Sequence, residues 1–108
     1  MKYYYKLVRD KIPEIIDKSG GTPICYNVSL YMDLKRVFIK QKILEEALEL
    51  VKADEDENIT EELADLLEVI ESYISVLGIS FEDIASTKER KKKEKGGFDN
   101  FIILEKVE

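Results

Sequence analysis

The chain has 108 residues and a net charge of −6, with 37% charged residues, no histidine and one cysteine, Cys25. That length predicts a single domain over residues 1–108, with a modest core that association between copies would enlarge. The missing histidine excludes Ser-His-Asp and Cys-His catalysis and a di-iron bundle built on Glu-x-x-His, and one cysteine excludes an internal disulfide or a Cys-rich zinc site.

In chain order, Tyr3, Tyr4, Tyr5, Leu7 and Val8 predict a short strand or an extended arm. Asp10 is the expected N-cap of a short helix with Pro13 in its first turn, ending near Lys18 at Gly20-Gly21. Thr22 to Val28 is expected to be a weak strand or a loop. A long helix is predicted over 29–53, because Leu34, Val37, Phe38, Leu44, Ala47, Leu48 and Val51 recur at helical spacing. The acidic run 54–57 should break it. Asn58, with Glu61 three residues on, is the expected cap of the next helix, which carries Ile59, Leu63, Leu66, Leu67, Ile70 and Ile74 to Val76 and stops at Gly78. Ser80 with Asp83 should open a fourth helix through the basic run 88–95, broken by Gly96-Gly97. Residues 101–107 are expected to form a C-terminal strand. Four helices with short peripheral β segments put the expected fold in the all-α class.

Charge is distributed unevenly. Residues 1–44 carry nine Lys/Arg against four Asp/Glu, 45–83 carry one Lys against fourteen acids, and 84–98 carry six bases against two acids. An acidic centre flanked by basic segments suits a metal-bound polyphosphate better than a nucleic-acid duplex, so no nucleic-acid partner is expected. No apolar run approaches the roughly 20 residues of a bilayer span. The first residues lack the apolar stretch of a secretory signal, and the lone cysteine fits a reducing compartment; a cytoplasmic location without membrane association is expected.

The acids within the two central helices are Glu45-Glu46-x-x-Glu49 and Glu62-x-x-Asp65. Spacings of i, i+3 and i, i+4 put each group on one side of its helix, and antiparallel packing would bring the groups face to face. Two carboxylates about 4 Å apart repel by roughly 4 kcal/mol at an effective dielectric of 20. Such a cluster is either a solvated acidic face or a site for a hard divalent cation with oxygen ligands, Mg²⁺ first and Mn²⁺ next. Glu61 and Glu62 also suit a helix start, and Lys42 can pair with Glu46. Asp65 favours the cation, because it lies mid-helix among Leu63, Ala64, Leu66 and Leu67, where the helix-start explanation does not reach.

Glu45-Glu46-x-x-Glu49 followed after twelve residues by Glu62-x-x-Asp65 resembles the signature of the all-α nucleoside triphosphate pyrophosphohydrolases, the MazG-like superfamily. Leu7-Val-Arg-Asp-Lys-Ile-Pro-Glu-Ile-Ile16 and Lys95-Gly-Gly-Phe98 are similar to the flanks of its small phosphoribosyl-ATP pyrophosphohydrolase-like members. The resemblance implies a helical bundle of about four helices, completed by a homodimer or a dimer of dimers. It implies Mg²⁺-dependent hydrolysis of a nucleotide between the α- and β-phosphates, giving a monophosphate and pyrophosphate. Carried over, Glu46, Glu49, Glu62 and Asp65 would be metal ligands, and Glu45 a further ligand or the group that orients the attacking water. Arg9, Lys11, Lys91, Lys92 and Lys95 are the candidates for substrate phosphate. For 88–95, a solvated helix end complementing the macrodipole stands equally open. The alternative from another class is a non-catalytic helical dimer whose acidic centre meets a basic partner.

Overall fold

The computed structural model describes residues 2–108, which form four helices: α1 (Ile12–Lys18), α2 (Met32–Lys52), α3 (Asp56–Leu77) and α4 (Phe81–Lys95). No strand occurs among the described residues, so the fold is all-α and the expected β segments are absent. Residues 2–9 are an arm without regular structure, 22–28 a loop, and 101–107 have no regular structure. The reason is pairing: a strand's N–H and C=O groups need a neighbouring strand, and β-rich composition alone supplies none.

The helix starts also differ from expectation. Asp10 does not cap α1; Lys11 holds the N-cap position without a side-chain bond, and the Ile12 N–H donates to the Arg9 carbonyl at 3.0 Å. The entry to α2 falls at Tyr31 rather than Ser29. There the Ser29 N–H donates to Asn27 Oδ1 at 2.7 Å and the Tyr31 N–H to the Val28 carbonyl at 2.9 Å, a local turn that competes with the helix. α3 begins before Asn58, with the Ile59 N–H donating to the Glu55 carbonyl at 2.9 Å. Asp56 and Glu57 thus occupy its first turn, where acids complement the macrodipole, and Asn58 is helical rather than a cap.

The later boundaries follow the sequence. Gly78, just past α3, has φ +68°, and Gly96, just past α4, has φ +85° and donates to the Lys92 carbonyl at 2.8 Å. Both conformations favour glycine. Ser80 caps α4 by accepting from the Asp83 N–H at 3.0 Å.

The chain divides into two compact units, one ending at Leu77 and one starting at Gly78. The first contains the arm, α1 and the packed pair α2–α3; the second contains α4 and the C-terminal segment. Burial is slight. Ile39 of α2, 4% exposed, is the one buried residue among those described, while Leu44, Leu48, Val51, Leu63, Leu67 and Ile70 remain exposed. Removing the Ile39 side chain should therefore be the costliest apolar truncation in the isolated chain. Ile39→Ala is expected to lose about 2–4 kcal/mol in urea unfolding, which a shift of the midpoint at constant slope would register.

Candidate metal centre

A connection of three residues, Ala53 to Glu55, joins α2 to α3. So short a link makes packed neighbours antiparallel. Glu46 lies six residues before the last residue of α2, and Glu62 six residues after the first of α3. The hairpin register therefore sets them opposite one another, and Asp65 follows Glu62 by one turn on the same side. One carboxylate oxygen from each of Glu46, Glu62 and Asp65 lies within 4.8 Å of the others, and all three residues are half-buried.

The other two acids of the pattern stand differently. Glu49, one turn on from Glu46, is exposed and lies outside this group of three, yet its charge reaches Glu62. Glu45 is held by two ammonium groups: Lys6 Nζ donates to its Oε1 at 3.2 Å and Lys42 Nζ to its Oε2 at 2.9 Å. Lys42 also reaches Glu46 Oε1 at 3.3 Å, so it bridges two neighbouring acids of α2.

Among the basic candidates, Arg9 comes to the acids directly. Its Nη2 donates to Asp65 Oδ1 at 2.7 Å. Lys11 is exposed at the start of α1, and Lys91, Lys92 and Lys95 are exposed on α4 in the second unit. The role of Lys6 was not foreseen. It lies 39 residues from Glu45 in the chain, and no local pattern reports a pair at that separation.

These contacts set the charge states. Partial burial opposes the charge on Lys42, but hydrogen bonds to Glu45 and then Glu46 outweigh it and raise its pKa. Glu45 moves the other way: some loss of water would raise it, and hydrogen bonds from Lys42 and Lys6 bring it below the ordinary carboxylate value. Glu62 is raised, first by loss of water and then by repulsion from Asp65, Glu46, Glu49 and Glu61.

The donor set fits a hard divalent cation. All donors are carboxylate oxygens. Three carboxylate oxygens within 4.8 Å of one another could be brought onto one such cation by side-chain rotation. Asp, Glu and water suit Mg²⁺, Mn²⁺ or Ca²⁺ rather than zinc or copper.

The raised pKa of Glu62 has a consequence for stability. A carboxyl whose folded pKa exceeds its unfolded one favours the fold while protonated and loses that contribution as pH rises through the folded value. Glu62→Gln should therefore raise the melting temperature of the cation-free protein at pH 7. The gain should vanish once pH falls below the carboxylate range, a difference that paired thermal melts at pH 7 and pH 3.5 would reveal.

A model of the family described as phosphoribosyl-ATP pyrophosphohydrolase matches residues 22–92. The match takes in the loop before α2, the whole α2–α3 hairpin with its five acids, and most of α4. No curated protein and no solved structure matches the chain. The family match spans more than half of the sequence and coincides with a hairpin that converges three carboxylates from two helices. The chain accordingly belongs to the phosphoribosyl-ATP pyrophosphohydrolase family, and it is a hydrolase of phosphoric anhydride bonds.

Proposed function

We propose that residues 1–108 act as one domain that hydrolyses a nucleoside triphosphate, or a related nucleotide, between the α- and β-phosphates. The products are a nucleoside monophosphate and pyrophosphate, and the required ion is Mg²⁺, with Mn²⁺ as a substitute. The observation that carries this reading is the convergence of Glu46, Glu62 and Asp65 in a member of a pyrophosphohydrolase family. The phosphoribosyl-ATP of the family's description is one candidate substrate among several, since no residue assigned here reads a base or a sugar.

In this reading Glu46, Glu49, Glu62 and Asp65 hold the ion. When bound, the ion would offset the polyphosphate charge and acidify water. Glu45, kept ionised by Lys42 and Lys6, is a further ligand or orients the attacking water by accepting its hydrogen bond. The water oxygen bonds to phosphorus, the anhydride bond breaks, and pyrophosphate leaves. With no histidine in the chain, the water's proton passes to a carboxylate or to solvent. Arg9 and Lys11, in the same unit as the acids, are the side chains proposed to offset charge on the polyphosphate. A homodimer or dimer of dimers is proposed as the working form. The exposed apolar residues Leu44, Leu48, Val51, Leu63 and Leu67 of α2 and α3 support it. No helix among the described residues is long and apolar enough to cross a membrane. A cytoplasmic location without nucleic-acid or membrane partners belongs to the same proposal.

The test is product analysis. Purified protein is incubated with common and damaged nucleoside triphosphates and with phosphoribosyl-ATP, in Mg²⁺ and in EDTA. Monophosphate and pyrophosphate, without orthophosphate, should appear only with Mg²⁺; orthophosphate as the sole product would refute cleavage at the α–β bond. Asp65→Asn should abolish turnover while the helical circular dichroism stays unchanged. Mg²⁺ at one hundred times its dissociation constant should stabilise the native chain by about 2.7 kcal/mol, and Asp65→Asn should lose that increment.

A further inference from the structure

The arm before α1 touches the acidic hairpin at two points. Lys6 reaches Glu45 on α2, and three residues later Arg9 reaches Asp65 on α3. The arm thus spans both helices of the hairpin, and it does so from residues that precede the matched family region. Both contacts are accessible: the Arg9 side chain is 58% exposed and Asp65 38%, while Lys6 is 40% exposed. Pairs in contact with water exchange readily, so these hold the arm without fixing it.

Arg9 and a divalent cation make competing demands on Asp65. The guanidinium sits 2.7 Å from Oδ1, and a cation bound to the same carboxylate would lie within a few ångströms of that positive group. Like charges so close repel, so each weakens the other's hold. A polyphosphate reverses the sign of this coupling. It brings several negative charges into the space between the two cations, and its oxygens match the planar guanidinium fork at least as well as a carboxylate does.

We propose that the N-terminal arm works by exchange: Arg9, assisted by Lys6, neutralises Asp65 and Glu45 while no polyphosphate is bound, and passes to the polyphosphate when it arrives. Arg9 and Lys6 then disfavour the cation alone and favour the cation together with the nucleotide. The site is loaded by the metal–nucleotide complex rather than by the metal first. This rests on the cation site proposed above and adds to it the order in which its ligands come. The polyphosphate is recognised through charge and phosphate oxygens, so the base plays no part in the exchange.

Binding measurements on the full chain test this without turnover. Mn²⁺ alone is titrated and its free ion followed by electron paramagnetic resonance; inorganic pyrophosphate is then titrated by calorimetry in saturating Mg²⁺. Arg9→Ala should bind Mn²⁺ about three- to fivefold more tightly than the native chain. It should bind pyrophosphate about tenfold more weakly. Lys6→Ala should move both affinities in the same directions by less. Equal or weaker Mn²⁺ binding in Arg9→Ala, or unchanged pyrophosphate binding, would overturn the exchange. Asp65→Asn separates this failure from that of the cation site. If Asp65→Asn binds Mn²⁺ as well as the native chain, the site itself is wrong. If it loses Mn²⁺ while Arg9→Ala matches the native chain in both titrations, the exchange alone is wrong.

Discussion

The hairpin of α2 and α3 is packed across a set of carboxylates, and their mutual repulsion is the constraint on which the first unit depends. A three-residue connection forces the helices side by side, and the register then sets Glu46 against Glu62, with Asp65 one turn away. Apolar contact alone would have to work against that repulsion. Three basic side chains relieve it instead, one from α2 itself and two from the arm: Lys42, Lys6 and Arg9. Lys42 pairs with Glu45 and Glu46, Lys6 with Glu45 again, and Arg9 with Asp65, so the acids are balanced piecewise rather than by one counter-charge.

The same balance explains why Glu62 differs from its neighbours. Glu45 and Glu46 have Lys42, and Asp65 has Arg9. Among the described residues Glu62 has no such partner in contact, and its pKa is raised. A cation would satisfy Glu62 most, because that carboxylate gains an opposite charge without giving one up. The proposed ligand Glu62 is thus also the acid that the fold leaves least compensated.

Much of this was legible in the sequence because it is local. The apolar periodicity of α2 and α3, the Ser80–Asp83 cap and the stops at Gly78 and Gly96 each depend on residues a few positions apart. The acid spacing was legible for the same reason, and the family match agrees with the resemblance it suggested. Cap competition was harder to see. Asn58 offered a cap, but the helix starts earlier, with Asp56 and Glu57 in its first turn, where acids complement the dipole. The strand expected at 101–107 failed because its β-branched and aromatic residues say nothing about a pairing partner. Long-range pairs lay beyond reach altogether. Arg9 stood out as a phosphate candidate, yet nothing in the sequence pointed to its contact with Asp65, 56 residues away.

Among the described residues one side chain, Ile39, is buried, and many large apolar side chains of α2 and α3 stay exposed. Whatever covers Leu44, Leu48, Leu63 and Leu67 therefore contributes to folding by mass action, as a ligand does. With such a cover the folded fraction would rise with its concentration, and the site proposed on those helices would inherit the same dependence. If the covering surface is a second copy of this chain, as proposed, specific activity would depend on dose: dilution would lower it both through fewer molecules and through fewer of them folded.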